Sequence, residues 1–107
     1  MSELPKPPKR YDEFVNRYPE LGRAWESIGK AGSQGPLDGR TARLVKLGIA
    51  MGAMREGSVH AGVRKGLAMG ISREEIEQVV ALCAGTLGMP STVAVFSWAR
   101  DVMDAGE

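Results

Sequence analysis

Glu56, His60 and Arg64 stand four residues apart in turn, the separation that brings side chains onto one face of an α-helix. If the helix includes Glu56, its carboxylate can orient the imidazole and stabilise the charged ring, suiting His60 to proton transfer near neutral pH. Arg64, one turn further on, carries the forked guanidinium that binds a substrate carboxylate. The same spacing also describes an exposed charged ladder on a helix. The phase of His60 bears on the choice: it is next to Val59 and three residues before Val63, at the edge of an apolar stripe where a cleft or a subunit interface would meet solvent.

Other chemistries find less support. Cys83, the single cysteine, falls on an apolar helical stripe, which favours a packed small hydrophobe over a reactive thiolate. Ser58 is two residues from His60, a separation that points the pair to different faces of one helix and argues against a Ser–His pair within it. One histidine and one cysteine cannot build a tetrahedral zinc site within a chain, although three copies of His60 around a threefold axis could supply three ligands. No metal or cofactor site is therefore expected in the single chain. No glycine-rich phosphate loop, paired catalytic carboxylates or basic-aromatic patch is present.

Composition narrows the setting. The 107 residues suffice for one core and not for two, so an arm over 1–10 and a single helical domain over 11–107 are expected. Fourteen Lys and Arg against thirteen Asp and Glu leave a net charge of +1, which gives no electrostatic reason to expect nucleic acid or an anionic membrane as partner. The lone cysteine fits a reducing cytoplasm. Met1 to Arg10, with prolines at 5, 7 and 8 among lysines, lacks the apolar run of a secretory signal and reads as an extended arm, and no stretch is long and apolar enough for a membrane span.

The elements that must position His60 follow from breakers and periodicity. Asp12 can cap a short turn through Arg17, and Pro19 suits the first turn of a helix ending near Gly29 to Gly32, with Leu21, Trp25 and Ile28 as its buried stripe. Asp38 caps a helix running to about Met54, and Val59, Val63, Gly66 and Leu67 mark another that stops at Gly70. Ser72 and Glu75 form a capping box, opening a helix with Ile76, Val80 and Cys83 inward that ends at Gly88; Pro90 opens the last helix, to about Asp104. Glycines at 48, 52, 62 and 66 predict close backbone approach between helices or subunits, and the scattered methionines read as packing filler. With no period-two segment and only short connections, the fold class is all-α, a compact bundle of about five helices with an antiparallel pair.

Several runs, taken in order, resemble a known family: Leu44-Val45-Lys46-Leu47-Gly48-Ile49-Ala50, then Glu56-Gly57-Ser58-Val59-His60, then Gly70-Ile71-Ser72-Arg73-Glu74-Glu75-Ile76, then Ala84-Gly85-Thr86-Leu87-Gly88-Met89-Pro90. From about Asp38 to Asp104 the chain is similar to the carboxymuconolactone decarboxylase and alkylhydroperoxidase D superfamily. The resemblance implies a ring-shaped homo-oligomer, a trimer or hexamer, with active sites near subunit interfaces. Peroxidase members use a Cys-x-x-Cys pair and a nearby histidine, and decarboxylase members a histidine in the same helix. Lining up on Gly70 puts Arg55 and Ser58 where the thiols stand and Gly62 where the histidine stands, with His60 two residues earlier. The chain therefore resembles a subgroup without the thiol pair, and thiol peroxidase activity is not expected.

Three functions follow as expectations. One is a cofactor-independent lyase-like enzyme for a small carboxylated or cyclic substrate, with His60 as acid/base, Glu56 as orienter and Arg64 as carboxylate anchor. Another is a non-catalytic oligomeric binding or scaffold module. A third, with less support, is a metal-binding or peroxidase-related oligomer.

Overall fold

The computed structural model describes residues 9–105, and among them there are six helices and no strand. Helix α1 (Lys9–Arg17) replaces the short turn expected from Asp12, which brings the described residues to six helices where about five were expected. It starts where the prolines stop and carries an Arg10–Glu13 ion pair at 3.0 Å across one turn. Lys9 and Arg10, assigned to the arm from sequence, therefore belong to a helix, while the rest of that arm lies outside the described residues.

Helix α2 (Pro19–Gly32) begins on proline as expected, and its apolar stripe is present but not buried. Leu21, Trp25 and Ile28 are 51%, 61% and 61% exposed, which corrects the expected core role. The periodicity correctly marked an apolar face; what covers it is not the chain's own core. Helices α1 and α2 pack on one another, with the Phe14 and Tyr18 rings 5.3 Å apart, and touch the other helices only slightly. The radius of gyration, 14.7 Å, accordingly exceeds the ~13 Å of a compact chain this long.

The other four helices enclose the core. Helix α3 (Gly39–Gly52) is capped by Asp38, whose carboxylate accepts from the Thr41 N–H at 2.7 Å. Met54 follows in the left-handed region at φ 56°, and α4 (Glu56–Ala68) starts at Glu56, earlier than the apolar stripe at Val59. At the end of α4 the Ile71 N–H bonds the Gly66 carbonyl at 3.0 Å and the Gly70 N–H bonds Leu67 at 3.1 Å. This is a Schellman ending, and it requires Gly70 at φ +87°. Helix α5 (Arg73–Leu87) opens with the expected capping box: the Glu75 N–H donates to Ser72 Oγ at 3.1 Å and the Ser72 N–H to Glu75 Oε1 at 2.9 Å. Gly88 turns the chain at φ +80°, and α6 (Met89–Ala105) begins one residue ahead of Pro90.

Leu47 and Met51 of α3, Val59 and Val63 of α4, Ile76 of α5 and Val95, Ala99 and Val102 of α6 are all at most 1% exposed. Helices α3 and α4 form the antiparallel pair; α6 packs on α4 and α5. Within the chain, Gly62 is the one of these glycines that makes a close approach: a Cβ there would stand 3.0 Å from Leu47 Cδ1, while at 48 and 66 it would meet ordinary contacts and at 52 none. Among the methionines Met51 and Met103 fill the core, but Met54, Met69 and Met89 lie near helix ends and are 36%, 49% and 66% exposed, a correction to the packing role. Trp98 is half-buried against the core, whereas Trp25 is not.

Candidate functional site

Helix α4 lies against α6, and the buried residues Val59 and Val63 on one, Ala99 and Val102 on the other, hold that crossing. His60 directly follows Val59, and Asp101 directly precedes Val102. Both therefore project from the rim of the packed seam, where apolar contact gives way to solvent. His60 Nε2 and Asp101 Oδ2 are 3.0 Å apart, with the side chains 29% and 56% exposed. Because a carboxylate only accepts, the neutral ring donates from Nε2 and leaves the lone pair on Nδ1.

Glu56, at the first position of α4, shares the face of His60 as the spacing predicted. One ligand atom each from Glu56, His60 and Asp101 lie within 4.8 Å of one another. The ring's hydrogen-bond acceptor is Asp101 rather than Glu56. Sequence reasoning missed Asp101 because it searched along one helix; the 41-residue separation leaves no local signal beyond an acidic residue on the polar edge of an apolar stripe. Arg64 is half-buried one turn beyond His60 and forms no hydrogen bond or ion pair with a described residue.

Arg64 belongs to a positive neighbourhood. Burial, and then the charges of Arg43, Lys46 and Arg64, hold the Lys65 ammonium below its usual range. Arg43 Nε is buried without a hydrogen-bond partner. None of these four cations forms an ion pair with a described residue, so an anion arriving there would meet unneutralised charge.

An open groove of about 560 Å³ runs between α3 and α5, floored by Leu44, Val45, Gly48, Val79 and Cys83 and flanked by Leu82, which is 71% exposed. Glu75 also lines it, and Arg40 Nη2 donates to Glu75 Oε1 at 2.5 Å. That bond, with the Ser72 N–H, holds the Glu75 carboxyl down to about 2. Cys83 donates to the Val79 carbonyl at 3.4 Å, and burial pushes its thiol up, away from thiolate chemistry. Neither Glu56, His60 nor Asp101 lines this groove.

At Gly62, where the resemblance sets the family histidine, the position is closed. Gly62 is buried, and a Cβ there would crowd Leu47 Cδ1 at 3.0 Å. A side chain there would enter the core, not a site. Arg55 and Ser58, at the positions of the thiol pair, are exposed.

Among the described residues no helix is long and apolar enough to cross a membrane. A comparison with curated proteins finds no match. An apo crystal structure of a carboxymuconolactone decarboxylase family protein from Legionella pneumophila superposes with a TM-score of 0.81 at 19% identity, covering 92% of this chain and 89% of that one. At that identity the likeness speaks for the fold. The model of the carboxymuconolactone decarboxylase family matches residues 19–101, from the first residue of α2 to Asp101 in α6. A match over that much of the sequence, on a fold shared with a solved member, means that the chain belongs to the carboxymuconolactone decarboxylase family.

Proposed function

We propose that this protein is a cofactor-independent, lyase-type enzyme of the cytoplasm, acting as a ring-shaped homo-oligomer on a small carboxylated or cyclic substrate. The observation that carries the reading is the 3.0 Å contact between His60 Nε2 and Asp101 Oδ2 across two helices. With Nε2–H bonded to the carboxylate, Nδ1 is the base that takes a substrate proton, and the resulting imidazolium is stabilised by Asp101 and Glu56 before it returns the proton. Arg64, with Arg43, Lys46 and Lys65 nearby, supplies the positive charge that draws a carboxylated substrate.

Assembly is supported by two unpartnered apolar surfaces, the α2 stripe around Trp25 and the α3–α5 groove beside Leu82. Two different patches that meet head to tail around a rotation axis close into a ring. A non-catalytic scaffold is the second reading, favoured by Gly62, Arg55 and Ser58 at the positions where family members carry their reactive groups.

Carbon dioxide release from 4-carboxymuconolactone, with a hydroperoxide-reduction assay beside it, separates the readings. Release by the native protein that disappears in His60→Ala, with assembly unchanged, supports the enzyme. Release that persists in His60→Ala removes His60 from the chemistry, and no turnover of either substrate favours the scaffold.

A further inference from the structure

We infer that Glu56, His60 and Asp101 form a binding site for one zinc-type divalent cation within a single chain. The residues suit such an ion. Imidazole nitrogen and carboxylate oxygen are the ligands of borderline first-row metals, whereas magnesium and calcium sites are built from oxygen alone. Two carboxylates neutralise the dication, and three protein ligands leave further positions for water, as in open zinc sites.

The distances fit as well. Two ligand atoms each about 2.0–2.1 Å from one ion stand about 2.9–3.4 Å apart for bond angles of roughly 90–110°. His60 Nε2 and Asp101 Oδ2, at 3.0 Å, already have that separation. The three ligand atoms fall within 4.8 Å of one another, wider than the ~3.4 Å of a tetrahedral pair, so the set must draw in around an ion. Glu56 is exposed at the start of α4 and needs only a side-chain rotation to complete the set. Two ligands come from one face of α4 and the third from α6, whose relative positions are fixed by the buried Val59 and Val102. No partner copy is needed, unlike an arrangement of three His60 rings around an axis.

Binding changes what the ring can do. In the metal-free state Nε2 carries the proton and Nδ1 the lone pair. A cation on Nε2 requires that nitrogen's lone pair, so in the neutral ring the proton moves to Nδ1. No net proton is gained or lost, but the base of the proposed reaction is gone. The ion is thus a competitor of that reaction, not its cofactor. This consequence rests on the acid/base reading; the binding itself does not.

The test uses the full-length protein stripped with chelator, titrated calorimetrically with zinc and followed by visible absorption with cobalt. The expected result is one ion per chain and a cobalt spectrum of mixed nitrogen and oxygen ligation. His60→Ala should abolish both, and Asp101→Asn and Glu56→Gln should each weaken zinc binding by about tenfold or more. All three side chains are at the rim, so the variants retain the helical circular dichroism of the native protein. No binding by the native protein, or binding unchanged in His60→Ala, overturns the inference and leaves the acid/base reading untouched. Zinc binding together with no turnover of any substrate by the metal-free protein would instead overturn that reading and keep the site.

Discussion

Replacing Gly62 with alanine tests whether the family's histidine position is truly sealed in this chain. In an open helix Gly→Ala stabilises by about 0.5–1 kcal/mol, because glycine loses more backbone freedom on folding. At Gly62 the new Cβ would stand 3.0 Å from Leu47 Cδ1, some ~0.5 Å inside ordinary carbon contact. Leu47 is 1% exposed, and Val59 and Val63 of α4 are both 0% exposed, so the methyl would enter a close-packed contact between α3 and α4. Overpacking of this kind costs about 1–3 kcal/mol. The net effect is therefore a destabilisation of up to about 2 kcal/mol, where Gly85→Ala, with nothing within 4 Å of its Cβ position, should stabilise. Urea denaturation of both variants measures the difference, expected at about 1–3 kcal/mol and so at least roughly 4 °C in Tm. In a Leu47→Ala background the opposing methyl is gone, and Gly62→Ala should become stabilising; a coupling of about 1–3 kcal/mol between the two sites is the signature of direct contact. If Gly62→Ala stabilises the native background as much as Gly85→Ala does, the packing argument fails, and so does the claim that a side chain there is crowded.

Three further outcomes are expected. Asp101→Asn keeps a hydrogen-bonding group but removes the charge facing His60, and should lower turnover by roughly 10–100-fold, the worth of a charge-assisted hydrogen bond; because Asp101 is 56% exposed, thermal unfolding should move little, and a large stability loss would contradict its place at the rim. Glu75→Gln retains the capping hydrogen bond of α5 while losing the ion pair with Arg40. The native carboxyl sits at about 2 in the folded chain against about 4.3 unfolded, so its contribution is complete above the unfolded value and fades as pH falls from there towards 2. The Tm gap between native protein and Glu75→Gln should therefore narrow across that window, and a constant gap would refute the linkage. Trp25→Asp puts a charge on the exposed α2 stripe and should shift sedimentation towards the monomer, with an unchanged sedimentation coefficient counting against that face as an interface.

Features that depend on neighbours in sequence were legible before any coordinates. The Asp38 cap, the Ser72–Glu75 box and the glycine at 70 are satisfied by backbone groups within a few residues, so local chemistry alone specifies them. Helix α1 escaped because a reading anchored on Asp12 as a cap starts too late; its first turn is held by Arg10 and Glu13 instead. The stripe of Leu21, Trp25 and Ile28 shows the limit of periodicity: it establishes that a face is apolar, while burial depends on what lies opposite, and nothing in α3 to α6 covers this one.

The site was half legible for the same reason. Glu56 and His60 are related by one helical turn and can be found by counting, but Asp101 reaches the ring only because α6 crosses α4 at the level of Val59 and Val102. Counting histidines and cysteines likewise excluded a metal site in one chain, since the carboxylates that complete the ligand set become neighbours only through that crossing. The His60–Asp101 geometry is in this sense a property of the hydrophobic seam beneath it. The apolar contacts set the separation of the two helices, the separation sets the 3.0 Å between Nε2 and Oδ2, and that distance decides which ring nitrogen holds the proton. The same seam crowds Gly62, where the resemblance sets the family histidine: its backbone packs inward against Leu47, while two residues earlier the helix has turned to solvent. A chain that needs an imidazole on this helix can therefore carry it at position 60 and not at 62 without rebuilding the α3–α4 contact.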